Sequence, residues 1–265
     1  MHRNTFIKSF SIDAEKTHPF PYNILAVRLA KKILIDNPVN IFIGDNGCGK
    51  STLLETLALK LSLPLIGGKN IYQESFEAAN LLQQYLEIDW SNNTYQGFFF
   101  RAEDFSHFIY QVERQQTSLN SFLGEMRGEV KEDVLKSMGE GMNYQLRKMK
   151  KDYGENMNAF SHGEAYLKIL QTRINGKGIY LLDEPEAALS PLKQLSLISL
   201  IMDVTKNYKS QFIIATHSPI IMGIPGAVLY EIREDGMHKT DFRDTEHYTI
   251  TRSFLENPEQ FLRHL

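Results

Sequence analysis

The chain has 265 residues, of which 42% are hydrophobic and 23% charged; this is near the globular average and excludes wholesale disorder, a fibrous repeat and a disulfide-dense mini-protein. A balance of 29 Lys+Arg against 32 Asp+Glu leaves a formal charge of -3, so bulk charge does not draw it to nucleic acid or acidic lipid, and only a local basic patch would do so. The single cysteine, Cys48, forms no internal disulfide or thiolate metal cluster, and no apolar run approaches the ~18–20 residues that span a bilayer, so the sequence predicts a cytoplasmic chain without membrane insertion.

In chain order, Thr5 to Ile12, Asn23 to Leu29 and Lys32 to Ile35 read as short strands, separated by the Pro19/Pro21 segment. Val39 to Ile43 is a buried-strand candidate. It runs into a glycine loop, after which Leu53, Leu54, Leu57, Ala58 and Leu61 recur at helical spacing. Pro64 and Gly67-Gly68 end that helix, Phe76 to Ile88 reads as another, and Gly97 to Phe100 as a short strand. Residues 117–158 hold five of the nine methionines, five glycines and the cluster Arg147-Lys148-Lys150-Lys151, a composition that predicts mobile helices outside the core. Order then returns. A helix is expected over Ser161 to Ile174, a strand over Ile179 to Leu182, a helix from about Pro191 to Thr205 and a strand over Gln211 to Thr216. Further strands are expected at Ala227 to Ile232 and Lys239 to Phe242, with a last helix capped by Asn257 ahead of Pro258.

Gly44-Asp45-Asn46-Gly47-Cys48-Gly49-Lys50-Ser51, followed by Thr52, satisfies G-x-x-x-x-G-K-[ST] and lies between an expected strand and an expected helix. Glycines let successive backbone N–H groups face phosphate oxygens, the helix N-terminus adds positive potential, Lys50 reaches the β/γ oxygens and Ser51 ligates Mg²⁺. Cys48 reads as a small side chain tolerated within the loop, and its alkylation is expected to block nucleotide binding sterically.

A second cluster, Ile179-Tyr180-Leu181-Leu182-Asp183-Glu184-Pro185, ends an apolar strand in two adjacent carboxylates. Asp183 is placed to hold the Mg²⁺ shell, and Glu184 to orient and deprotonate a water in line with the γ-phosphate. Ser161-His162-Gly163-Glu164 has the form of a capping box, with Ser161 at the cap and Glu164 returning to its N–H; a capped helix start is also an anion site.

These segments, together with Ala188-Leu189-Ser190 and Thr216-His217-Ser218, resemble in order the Walker A, signature, Walker B, D-loop and H-loop motifs of ATP-binding-cassette ATPases. Within that superfamily GDNGCGKSTLLE, GFFFRAEDF, SHGE, LLDEPEAALSP and ATHSP look most like small bacterial AAA-type ATPases related to the SMC and RecF branch. The resemblance implies ATP and Mg²⁺ bound between two head-to-tail subunits in an ATP-dependent homodimer. Ser161, His162, Gly163 and Glu164 of one subunit would then face the γ-phosphate held by Lys50 of the other. It also implies His217 as γ-phosphate sensor and Ser190 in the D-loop.

Two positions depart from the pattern. Where a Q-loop glutamine usually follows the strand, the chain reads Arg101-Ala102-Glu103; Glu103 would hold the metal through water, and Arg101 would touch phosphate or an acidic partner. His162 replaces the second signature glycine, where it would sense pH or fix the loop. Phe20 and Tyr22 are candidates for adenine stacking or for core packing.

The expected fold is therefore α/β: one P-loop NTPase domain over 1–265, its mostly parallel sheet flanked by helices, with an antiparallel N-terminal sheet and a helical subdomain inserted at about 102–160. That insert lacks sustained a/d heptads and excludes a long coiled-coil arm. Its basic cluster is either a solvated helix face or a contact for DNA phosphates. The expected function is a Mg²⁺-dependent ATPase whose dimerisation acts as a switch on DNA or a co-encoded effector, in genome maintenance or phage defence. The alternative is the nucleotide-binding motor of a membrane transporter.

Overall fold

The computed structural model describes residues 5–13, 19–66, 76–104, 114, 117, 118, 121 and 162–263, the side chains of 162 and 163 excepted. Its strands are β1 (Ile7–Ile12), β2 (Ile33–Leu34), β3 (Val39–Gly44), β4 (Leu65–Ile66), β5 (Leu86–Trp90), β6 (Gly97–Arg101), β7 (Gly178–Asp183), β8 (Ser210–Ala215), β9 (Val228–Arg233) and β10 (Gly236–Thr240). The helices are α1 (Leu25–Leu29), α2 (Lys50–Lys60), α3 (Glu77–Leu82), α4 (His162–Arg173), α5 (Pro191–Asn207), α6 (Pro219–Met222), α7 (Glu246–Glu256) and α8 (Pro258–Leu262).

The main sheet runs β10-β9-β3-β8-β7-β6-β4 and is parallel except for β10, which pairs antiparallel with β9. Strands buried on both faces read as nearly continuous apolar runs, and β3, β7 and β8, which do, are fully buried, with their few polar residues. Alternate side chains divide between two cores. Phe42, Phe99, Leu181, Ile213 and Ala215 pack with α1, α2 and the antiparallel sheet β2-β1-β5, whereas Ile41, Phe100, Leu182 and Ile214 pack with α4 and α5. The expected α/β class, parallel sheet and N-terminal antiparallel sheet are all present.

The two sheets are joined by a buried amide. Gln211, second residue of β8, accepts from the N–H groups of Phe6 and Ile7 at 3.1 and 2.9 Å and donates to the carbonyls of Ile7 and Ile35 at 3.0 and 2.5 Å. Burying an amide with all four bonds made avoids the desolvation cost of an unpaired one.

Four sequence expectations are corrected. Asn23 to Leu29 contains the five-residue helix α1, too short for its aliphatic run to be told from a strand by periodicity. Phe76 to Ile88 is not one helix: α3 gives way to a turn of 3-10 helix at Gln83–Tyr85, and Leu86 and Ile88 then alternate in β5 against Ile12 and Phe10 of β1. Leu65 and Ile66, expected at a helix end, form the edge strand β4 beside β6. Glu246 to Glu256, for which no element was expected, is a helix capped by Thr245, whose Oγ1 accepts from the N–H of Tyr248. The Asn257 cap is as expected, its side chain accepting from the N–H of Gln260. The inserted subdomain expected at about 102–160, with its methionines and basic cluster, lies outside the described residues except for 102–104, which are helical, and the four isolated positions.

Candidate functional site

In a parallel sheet every strand ends at the same edge, so the chemistry-bearing residues that end β3, β6, β7 and β8 converge there although they are distant in sequence. Gly44 ends β3, Arg101 ends β6, Asp183 ends β7, and Thr216 and His217 follow β8; Arg101 and Asp183 are direct register partners.

The glycine loop leaves β3 and enters α2 through Gly49, whose φ of 100° lies in the left-handed region that glycine adopts without steric penalty. A Cβ there would also lie 2.2 Å from Cγ2 of Ile24, because α1 packs beneath the loop and the N–H of Ala26 bonds the carbonyl of Cys48 at 2.9 Å. Helix α1 is thus the floor of the loop. Asp45, Asn46 and Gly47 are exposed at its crest, while Cys48 and Lys50 are buried. Lys50 folds back over the loop, its Nζ donating to the carbonyls of Gly44 and Asp45 at 2.8 and 3.0 Å.

Ser51, at the start of α2, donates through Oγ to Oδ1 of Asp183 at 3.2 Å. Thr52 is half-buried in the same turn. A hydroxyl and a carboxylate, both hard oxygen donors, suit Mg²⁺, which uses few protein ligands and completes its shell with water and substrate phosphates. Burial dominates Asp183 and pushes its carboxyl up to about 6, against the Ser51 hydrogen bond and the charges of Arg101 and Lys50, which lower it.

Glu184 follows in a backbone conformation of φ 49°, unusual for a residue with a side chain, and its N–H bonds the carbonyl of Ala215 at 2.9 Å. Such strain, about 1–3 kcal/mol, concentrates at functional sites. The turn aims a half-exposed carboxylate at His217, with Oε1 3.9 Å from Nε2. Burial and the Lys50 charge pull the His217 imidazole below its ordinary value, outweighing Glu184, which raises it.

Sequence reasoning missed four residues here. Glu186 anchors the turn after β8: its Oε1 accepts from Thr216 Oγ1 at 2.6 Å and from the N–H groups of His217 and Ser218 at 2.7 and 3.1 Å. Gln194 of α5 joins the turn before α5 to the one after β8, donating to the carbonyl of Leu189 at 3.1 Å and accepting from Ser218 Oγ at 2.5 Å. Glu55 on α2 lies 3.4 Å from Arg101, and burial pushes its carboxyl up to about 7 despite that cation. His247 of α7 reaches His217. The only sequence signal for Glu186 was its position two residues after Glu184; the other three had none.

Arg101 meets acidic partners. Besides Glu55 it pairs with Glu103, and its Nε is 3.7 Å from Asp104, while its guanidinium lies 5.1 Å from the ring centre of Phe76. Glu103, expected to reach the metal through water, is largely exposed and paired with Arg101. Ser190 occupies the N-cap position of α5, makes no side-chain capping bond and is exposed. Ser161 lies outside the described residues; His162 and Gly163 open α4, and Glu164 in its first turn is exposed. Helix α4 docks through Tyr166, whose ring meets Phe100 edge-on at 5.0 Å. Phe20 is exposed, and Tyr22 packs edge-on against Tyr85 at 5.6 Å.

The model of the family described as "AAA domain, putative AbiEii toxin, Type IV TA system" matches residues 88–223, slightly more than half of the chain. The chain belongs to this family. It is an ABC/AAA-type P-loop ATPase domain, and the matched stretch carries Asp183, Glu184, Glu186 and His217. Among curated proteins it is similar to the phosphate import ATP-binding protein PstB of Borreliella burgdorferi, 25% identical over 217 residues, covering 78% of this chain and 77% of that protein. It is also similar to PstB of Prochlorococcus marinus, 27% identical over 206 residues, covering 74% and 70%. Among solved structures, an Smc head domain from Pyrococcus furiosus bound to the C-terminal domain of ScpA aligns over 96% of this chain and 99% of that one, at 12% identity and a TM-score of 0.47. An ABC transporter component, cbiO1 of Clostridium perfringens, aligns over 89% and 91% at 17% identity and a TM-score of 0.41.

Proposed function

We propose that the protein binds and hydrolyses Mg-ATP between two head-to-tail copies and that ATP-dependent dimerisation is a switch read by DNA or a co-encoded effector, in genome maintenance or phage defence. The observation that carries the reading is the convergence of Ser51 Oγ, Asp183 Oδ1 and the Glu184–His217 pair beside Lys50 at one edge of the sheet. The family description, which names a toxin of a toxin–antitoxin system, supports an effector role.

In this reading Lys50 leaves the loop carbonyls for the β/γ-phosphates, and the loop N–H groups hold their oxygens. Ser51 and Asp183 would hold Mg²⁺, which would supply neutralisation of the phosphate charge. Glu184 accepts the proton of the attacking water, and its strained turn sets the carboxylate's direction. His217 donates to the γ-phosphate, and Glu186 holds its backbone in place. Ser161 and Gly163 of the partner copy complete the site, and Ser190 and Gln194 connect the two sites through the D-loop.

The test is the molar mass of Glu184→Gln by light scattering without nucleotide, with Mg-ATP, and with Mg-ATP plus short duplex DNA. Doubling only with ATP supports the shared site, and a further DNA-bound species supports a role on the genome; a monomer throughout contradicts the homodimer. A second reading, the motor of a membrane transporter, is favoured by the likeness to phosphate import ATP-binding proteins over 78% of the chain. No helix among the described residues is long and apolar enough to cross a membrane, so this reading requires a separate membrane subunit that co-purifies and stimulates turnover.

A further inference from the structure

The H-loop histidine does not stand alone. Its Nδ1 lies 3.3 Å from Nε2 of His247, in the first turn of α7, with the ring centres 5.5 Å apart. On its other side Nε2 faces Glu184 Oε1 at 3.9 Å. A carboxylate and two imidazoles thus form a chain from the hydrolytic edge to the C-terminal helices. The position of His247 is set by Thr245, which is fully buried, caps α7 and donates to the carbonyl of Phe242 at 2.8 Å.

The remaining nitrogen of His247 decides which way the proton lies. Its Nδ1 is buried and has no hydrogen-bond partner among the described residues. Burial and the Lys50 charge disfavour a charged His217 imidazole, and in the neutral ring one nitrogen donates and the other accepts. If His217 carried its proton on Nδ1 and gave it to His247, a neutral His247 would hold its own proton on Nδ1, a buried donor without an acceptor. His217 would also turn a bare Nε2 toward a carboxylate. If His247 donates from Nε2, its bare Nδ1 is an unfilled acceptor, which proteins tolerate better than an orphaned donor, and His217 presents Nε2–H toward Glu184.

From this geometry we infer that His247 is a positioning residue for ATP hydrolysis: by donating to Nδ1 of His217 it fixes the tautomer that directs Nε2–H at the γ-phosphate. The inference rests on the ATPase reading above and deepens it, because it makes α7 a control element of the site. Apart from its first turn, α7 is weakly held. It buries no residue and exposes Ile250, Phe254 and Leu255, so a ligand that displaces α7 would also release the tautomer of His217.

The test uses the full chain labelled with ¹⁵N-histidine and reads the tautomer of His217 by two-bond proton–nitrogen correlation, beside steady-state turnover of Mg-ATP. Wild-type protein is expected to show His217 protonated at Nε2. His247→Leu should lose that single tautomer and about tenfold in kcat at unchanged KM, the lower end of what removing a group that orients a functional imidazole costs. His247→Gln, whose amide places a donor near the same point, should restore both. Wild-type His217 protonated at Nδ1 would overturn the inference, as would His247→Leu with the wild-type tautomer and kcat. Absence of turnover in the wild type would sink the ATPase reading instead, and the nuclear resonance arm would still decide the tautomer.

Discussion

The two ends of the central strands bury polar groups in opposite ways. At the amino end of β8, Gln211 uses every donor and acceptor of its amide and ties the antiparallel sheet to the parallel one. At the carboxyl end of β7, Asp183 is also buried, but among the described residues its carboxylate accepts one hydrogen bond, from Ser51, and it is pushed up to about 6. Beside it Glu184 holds a strained φ and Lys50 turns back on its own loop. A satisfied polar group strengthens the fold, whereas one left short of partners holds interaction capacity that a ligand can take up. The second end is therefore where Mg-nucleotide should bind.

Substitutions at the two ends should separate turnover from stability. The largest effect is expected at the strained end: Glu184→Gln should lower turnover by at least ~10²-fold, the contribution of a general base, with ATP affinity retained in titration calorimetry. Equal turnover would move the base to another residue. At the satisfied end Gln211→Leu should lose about 3 kcal/mol in denaturant unfolding, because the buried N–H groups of Phe6 and Ile7 are left unpaired, with kcat per folded molecule unchanged.

Acid offers a smaller perturbation confined to the strained end. Between the ordinary value of 3.8 and about 6, folded Asp183 holds a proton that the unfolded chain has released, so this group's contribution to stability falls as pH rises through that window. Metal binding needs the carboxylate and runs the other way: Mg²⁺-dependent nucleotide affinity should fall about fivefold from pH 6 to pH 5. A flat profile would contradict the burial assigned to Asp183. The smallest effect is expected at Glu186. Glu186→Gln should cost about 1 kcal/mol in thermal melts and reduce kcat more than it changes KM, because an amide oxygen is a weaker acceptor for the three donors that hold the H-loop.

How much of this was legible in the sequence follows from the range of each interaction. The glycine loop, the acid pair after β7 and His217 stood out in the sequence because the roles expected of them need particular residue types at a fixed local spacing, and the structure brings them to one edge of the sheet. The parallel sheet was readable because Val39 to Ile43, Ile179 to Leu182 and Gln211 to Thr216 are nearly continuous apolar runs. Helix α1 was not, since five aliphatic residues suit strand and helix equally, and it is the close packing of Ile24 and Ala26 on Gly49 that selects the helix. Helix α7 lacked a signal of burial, because it buries none of its residues. Glu55, Gln194 and His247 act on partners far along the chain. Their roles are products of tertiary proximity, and local patterns carry no trace of it.

The most direct test of the contrast between the two ends is the thermal stability of Asp183→Asn with and without Mg-ATP at pH 7. The shift of Asp183 from 3.8 to about 6 corresponds to about 3 kcal/mol of destabilisation by the buried charge. Without nucleotide the variant should therefore melt several degrees above wild type, at about 2–4 °C per kcal/mol for a chain of this size. Mg-ATP should raise the melting temperature of wild type and leave that of the variant nearly unchanged. A variant that melts below wild type without nucleotide, or that gains as much from Mg-ATP, would show that the carboxyl end of β7 is not held short of partners for its ligand.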